Sequence, residues 1–270
     1  MTDFTIDTYR QLLIALKQNG YLFFTFQDYC LGNAKGRYVI LRHDIDKKPD
    51  NALSIAKLES DLGVKSTFYF LTVKDVFKPD IIKEIEKLGH EIGYHYRDLV
   101  DAKGNYEKAI LSFENNLFRL RSIVNVSTVA MDGCPWSKFD NRDIWKKYDY
   151  KKYGIIGEPY FDIDFNTIHY MTDTGRMWDG GKYSIRDRVE THALSNNTTN
   201  ENSAVKYINT TKSYHTTEEI ICSLQTNSFP LQTMITSHPQ RWTNSKFEWI
   251  KELIFQRVKN VIKRMIKLMF

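Results

Sequence analysis

The stretch ILRHDIDKKPD, residues 40–50, sets Asp44 and Asp46 two positions apart behind an apolar run. On an extended backbone side chains alternate faces, so these two carboxylates point the same way. Like charges that close repel, and a bound cation or a shared proton relieves the repulsion. Two further segments carry complementary groups: HEIGYH (90–95) ends on His95, and SHPQRW (237–242) presents His238. A carboxylate and an imidazole on adjacent strand ends begin a mixed oxygen and nitrogen site for zinc or a similar divalent ion. The second Asp can then act as a general base toward water, and a distant His as the acid for a leaving amine. Beside these motifs, His43 and His90 are read as hydrogen-bonded structural histidines. Asp44 also has a plainer alternative, the capping of the helix that follows.

Positioning such groups requires strands that end together. Apolar periodicity predicts a helix over about 7–18 closed by Gly20, a short aromatic strand YLFFTF and a continuous apolar strand RYVIL (37–41). An amphipathic helix DNALSIAKLESDLG, a strand KSTFYFLT and a helix KPDIIKEIEKLG with Pro79 in its first turn come next. A strand HEIGYHY, a long helix NYEKAILSFENNLFRLRSI and a strand VSTVAM complete the first half. Strand and helix alternating at short spacing predict an α/β fold, with a parallel sheet or a (β/α) barrel. In such folds chemistry sits at the carboxyl ends of strands, and Asp44, Asp46, His95, Asp132 and His238 all fall there.

The remaining composition narrows the function. With 270 residues and 42 % hydrophobic content the chain has an ample core. Cys30, Cys134 and Cys222 form no C-x-x-C pair, so neither a disulfide framework nor a thiolate metal site is expected, and a cytoplasmic location fits. No apolar run reaches the about 18 residues a membrane span needs. The net charge of +5 is modest, and RVKNVIKRMIKLMF (257–270) holds five of the Lys and Arg residues with no acid. Its apolar residues recur at helical spacing, and two readings compete: a last helix packing on the body with a solvated basic face, or a helix lying on anionic headgroups at the inner membrane. Residues 1–248 are expected to form one domain and 249–270 this basic amphipathic helix. Basic stretches lack the aromatic and Gly patterns of nucleic-acid modules, so no nucleic-acid partner is expected. The loop TDTGRMWDG supplies Asp173, Arg176 and Trp178, types that suit anionic groups and sugar rings, and it is read as substrate-binding. Glu158 and Asp164 are lesser candidates of the same kind. Residues 191–213, rich in Asn and Thr, are expected to form a mobile loop beside the site.

The combined pattern resembles the polysaccharide deacetylases of the NodB-homology type. The resemblance is carried by HDID (43–46), GHEIGYH (89–95) and ITSHP (235–239), and spans roughly residues 37–240. It implies a distorted (β/α) barrel with long loops on its C-terminal side, and hydrolysis of acyl groups on sugars with a divalent metal, zinc foremost. Asp44 would be the base, Asp46 and His95 metal ligands, and His238 the acid. HEIGYHYRDL, FDNRDIWKKYDY, IIGEPYFDIDFN, TDTGRMWDG and HPQRW look like the WbmS-like branch, associated with O-antigen and surface-polysaccharide biosynthesis, which implies an acylated and lipid-linked saccharide as substrate.

Two departures matter. Four residues after the ligand His95 the family places a second His, and here that position is Leu99, which cannot bind a metal. The region where the family has an Arg and a Pro near the substrate reads MDGCPW. Asp132 is therefore the candidate third ligand, with Asp98 in reserve. Alternative readings are a carbohydrate-binding protein on a degenerate deacetylase fold, or a tailoring enzyme with different acyl or amide chemistry.

Overall fold

A computed structural model describes residues 2–178 and 213–269, with side chains described as far as Ile262. Its strands, all parallel, are β1 (Leu22–Phe24), β2 (Tyr38–Ile45), β3 (Thr67–Phe70), β4 (Glu91–Tyr96), β5 (Val129–Met131), β6 (His169–Thr172) and β7 (Gln232–Ser237). The main path runs β5-β4-β3-β2-β7-β6. On one edge of β2, β1 pairs with Tyr38 to Ile40 and β3 with Arg42 to Ile45; β7 takes the other edge. Among the described residues no pairing joins β5 to β6, so the expected distorted barrel is realised as a curled α/β sheet with an open seam.

Helices separate the strands: α1 (Ile6–Gln18), α2 (Phe26–Cys30), α3 (Pro49–Asp61), α4 (Pro79–Lys87), α5 (Asp98–Asp101), α6 (Tyr106–Arg121), α7 (Pro159–Asp162), α8 (Thr217–Gln225) and α9 (Lys246–Met269). Local chemistry starts them where they start. Side chains of Thr5, Asn105 and Thr216 accept backbone N–H groups at the first turns of α1, α6 and α8, and Pro opens α3 and α4. Before α3 the backbone swings through a left-handed Lys48 at φ 50°, which turns the chain sharply just past Asp46.

Both faces of the sheet are buried, which is why β2 reads as an unbroken apolar run. Tyr38 and Ile40 join Phe26, Tyr69, Ala130 and Met234 inside the curl, whereas Val39, Leu41 and Ile45 pack outward among Leu12, Leu16, Ile55 and Ile82. The alternation carries on upward: Arg42 and Asp44 fall on the inner face and His43 on the outer. Outside, His43 lies 2.9 Å from Glu59 Oε1 and 2.8 Å from Ser237 Oγ, and His90 lies 3.0 Å from both Ser66 Oγ and the Ala56 carbonyl. Burial alone would raise the Glu59 pKa, but His43 and His90 with the Ser66 hydroxyl lower it, so this network is anchored on a carboxylate. These histidines serve the packing of α3 on the sheet and do not reach the rim.

Candidate active site

The carboxyl ends of β2, β4, β5, β6 and β7 converge on a cavity of about 140 Å³ lined by Asp44, Asp46, His95, Asp132, His238 and Arg241, among others. Asp44 is the last inward residue of β2, and Asp46 follows the strand. His95 lies within β4, beside Ala130 of β5. Asp132 follows β5 directly and His238 follows β7.

Asp46, His95 and Asp132 each offer a ligand atom, and the three atoms lie within 4.8 Å of one another. His95 Nε2 stands 3.4 Å from Asp46 Oδ1. The other ring nitrogen, Nδ1, lies 2.9 Å from the Ala130 carbonyl, which keeps a proton there and turns Nε2 toward the carboxylates. Asp46 Oδ1 is buried with no hydrogen-bond partner, while Oδ2 accepts from Gln240 Nε2 at 3.1 Å. A buried carboxylate oxygen without a hydrogen-bond partner beside an imidazole nitrogen turned toward it is what a cation resolves, and the mixed donor set suits zinc or manganese. The electrostatics agree. Burial would lower the His95 pKa, yet Asp44, Asp46 and Asp132 lift it to about 9. Asp132 is raised, first by burial and then by repulsion from Asp46. Asp98, the reserve ligand, turns away: its carboxylate accepts from Tyr94, Ser112 and Asn116 and lies off the cavity. Leu99, with 2 % exposure, belongs to the apolar core.

Asp44 is held by a residue absent from the sequence reading. Arg42, two positions earlier and therefore on the same face, donates Nε to Oδ1 at 2.8 Å and Nη2 to Oδ2 at 2.9 Å. Its guanidinium lies between the rings of Tyr69 (5.4 Å) and Tyr160 (5.3 Å). The Tyr69 ring in turn needs Gly93, where a Cβ would come within 2.3 Å of it. Gly93, Tyr69, Arg42 and Asp44 thus form a chain that fixes one carboxylate at the rim. Asp44 Oδ2 ends 4.0 Å from His95 Nε2, so it faces the donor triangle without capping any helix.

At the end of β7, the strand beside β2, His238 Nε2 stands 4.0 Å from Asp46 Oδ2. The loop read as substrate-binding has another job. Asp173 is fully buried behind His238 and accepts its Nδ1 at 2.6 Å, its backbone N–H at 2.9 Å, Trp242 Nε1 at 3.0 Å and Arg241 Nη1. Burial alone would raise the Asp173 pKa, but Arg241 and His238 bring it down to about 2. It is an orienter of His238. Arg176 lays its guanidinium over Trp249 (4.6 Å) and Phe4 (5.2 Å) and donates to the Trp249 carbonyl at 2.9 Å. Trp178 is buried against Phe4 and Trp242, with Nε1 donating to Thr217 at 2.8 Å. Neither lines the cavity; Arg and Trp suit cation–π packing as well as sugars, and here they do the packing. The Trp at the mouth is Trp136, half exposed in the MDGCPW segment. Glu158 is buried and accepts from the Met131 and Tyr160 N–H groups; burial, partly offset by Arg42, raises its pKa to about 7. Asp164 closes an exposed turn with Asn166 and Thr167. The loop expected over 191–213 lies outside the described residues except for Ser213.

Of the lining residues, Arg241 was given no role in the sequence reading, although it stands in HPQRW three positions past His238. Gln256 and Lys259 come from α9, and nothing in their sequence marks them.

No family model and no curated protein matches the chain. Solved structures similar to it include a Streptococcus mutans CE4 esterase, 13 % identical over 92 % of this chain and 90 % of that one, with a TM-score of 0.45. A family 4 carbohydrate esterase from Bacillus anthracis is 16 % identical over 86 % of this chain and 93 % of that one, at a TM-score of 0.37. A wild-type CE4 family pseudoenzyme from Bacillus anthracis is 12 % identical over 85 % and 67 %, at 0.42.

Proposed function

We propose that this chain is a divalent-metal-dependent hydrolase that removes a small acyl group from a sugar. The observation that carries the reading is the donor triangle of Asp46, His95 and Asp132 with Asp44 and His238, from the adjacent strands β2 and β7, facing the same small cavity. The residues fit a cation: two oxygens and one correctly protonated imidazole converge, and one buried carboxylate oxygen lacks any other partner. A divalent ion held there supplies Lewis-acid polarisation of the acyl carbonyl and a lowered pKa for water.

The chain's own groups do the rest. Asp44, gripped on both oxygens by Arg42, takes the proton of the attacking water. His238, turned by Asp173 so that Nε2 faces the cavity, gives a proton to the departing nitrogen or oxygen. Arg241 keeps Asp173 ionised and adds positive charge at the rim. A cavity of about 140 Å³ is small against the roughly 300–1,000 Å³ of drug-sized pockets. It suits an acyl group and its linking atom, with the sugar ring left at the mouth against Trp136.

Zinc as the ion, an amide as the bond cleaved, a cytoplasmic location and a place in O-antigen or other surface-polysaccharide biosynthesis belong to the same proposal. Their support is the donor chemistry and the sequence segments that look like the WbmS-like branch. Purified protein should contain a bound divalent metal and release acetate from acetylated amino sugars, with Asp44→Asn and His238→Ala silent in release. Absence of both metal and release under any metal supplementation rejects the reading.

A further inference from the structure

Helix α9 lies across the mouth of the cavity, and it is amphipathic in the unexpected sense. Its polar face is turned to the body. Gln256, only 4 % exposed, and Lys259 line the cavity, and Asn260 Nδ2 donates to the Gly175 carbonyl at 3.0 Å. Further along the same face, Trp249 Nε1 donates to the Asp3 carbonyl at 2.8 Å, and Glu248 beside it pairs with Lys48 at 2.6 Å. Its apolar face is turned to solvent. Phe247, Ile250, Ile254, Val258 and Val261 are each between 50 % and 75 % exposed. At 100° per residue these five fall within an arc of about 80°. On the same wheel Lys251 borders that arc on one side, and Lys246 and Arg257 border it on the other. Apolar area left in water is unfavourable in proportion to its extent, and five such side chains in one arc make a continuous stripe rather than scattered exposed groups. A stripe of five therefore calls for a cover, and the charges choose it. From Lys246 to Met269 the helix carries seven Lys or Arg (Lys246, Lys251, Arg257, Lys259, Lys263, Arg264, Lys267) against Glu248 and Glu252.

We propose that α9 is a membrane-facing roof: its outward apolar stripe sinks into an anionic lipid surface while its inward polar face closes the catalytic mouth. No helix among the described residues is long and apolar enough to cross a membrane, and α9 lies on the surface instead. The mouth then sits one helix diameter, about 10 Å, from the headgroups. That is within reach of a saccharide carried on a lipid. This roof stands or falls apart from the hydrolase reading, since it concerns the outer face of α9 and not the metal ligands.

The test is sedimentation of the full chain with vesicles of phosphatidylcholine alone and of phosphatidylcholine with roughly one-third phosphatidylglycerol. Binding is expected to the anionic vesicles only and to fall as salt rises. Ile254→Asp with Val258→Asp should weaken it roughly tenfold or more. Lys251→Glu with Arg257→Glu, at exposed positions that leave the fold alone, should weaken it as well. An unchanged far-UV spectrum confirms that either variant is folded. Failure of the full chain to bind anionic vesicles, or equal binding by wild type and variants, overturns the proposal. So does a stable dimer in light scattering that Ile254→Asp with Val258→Asp dissolves, because the stripe would then belong to a second copy.

Discussion

His238 and Asp173 make the residue-scale case most sharply. A carboxylate buried under an imidazole and fed by four donors sets which ring nitrogen faces the cavity. Asp173→Asn keeps the shape but removes that control, so acetate release should fall by roughly 10²–10⁴ in kcat with KM little changed. It also leaves Arg241 without its anion, and urea denaturation should show a loss of about 3 kcal/mol. A second residue-scale expectation concerns Glu158. Its pKa rises from 4.5 to about 7 in the folded chain, chiefly through burial. Between those values the folded state keeps a proton that the unfolded state has lost. Stability is therefore full below about pH 4.5 and falls as pH climbs toward 7, then levels, by about 3 kcal/mol in all. Glu158→Gln should flatten this slope in denaturation curves taken at about pH 5 and about pH 8; an unaltered slope would place the titration elsewhere.

At the scale of elements, the C-terminal rim works because five strands end at one level and the inner face of each delivers a polar residue there. Leu99 shows the limit of reading such a site by position alone. It is the second residue of a short helix, α5, and its side chain is buried in the apolar core that also holds Tyr94 and Phe113, while Asp132 comes in from β5 to complete the donor triangle. Leu99→His should thus not improve metal binding. It should place an unpartnered imidazole among apolar side chains and lower stability by about 2–4 kcal/mol, measured by urea denaturation beside a metal titration. Tighter metal binding in this variant would mean that α5 can turn its first residues toward the rim.

For the molecule as a whole, the acidic rim is a folding liability that a ligand can remove. Asp44, Asp46 and Asp132 crowd one imidazole, and in the absence of a cation a proton on His95 offsets their repulsion. A divalent ion binding only the folded chain should raise the melting temperature, worth about 2.7 kcal/mol at a hundred times its dissociation constant. The rise should vanish in Asp46→Ala with His95→Ala and persist in His238→Ala, because His238 lies outside the triangle. A rise that survives loss of Asp46 and His95 would relocate the metal.

Much of this was written in the chain. The continuous apolar run of β2, the Pro and Gly that bound helices and the short spacing of strand and helix determine a parallel α/β sheet from local chemistry alone. The placement of Asp46, His95, Asp132 and His238 at strand ends follows from that sheet by a general rule of parallel folds. What the sequence could not decide is which way a side chain faces once the backbone leaves a regular strand. Asp173, Arg176 and Trp178 share one loop, yet one orients His238 and two pack in the interior, and only tertiary contacts with Arg241, Trp249 and Thr217 separate them. Likewise the periodicity of α9 fixed that it is amphipathic, but not which face meets the body. That choice rests on groups distant in sequence, the Asp3 and Gly175 carbonyls and Lys48 among them, and such long-range contacts leave no local pattern to read.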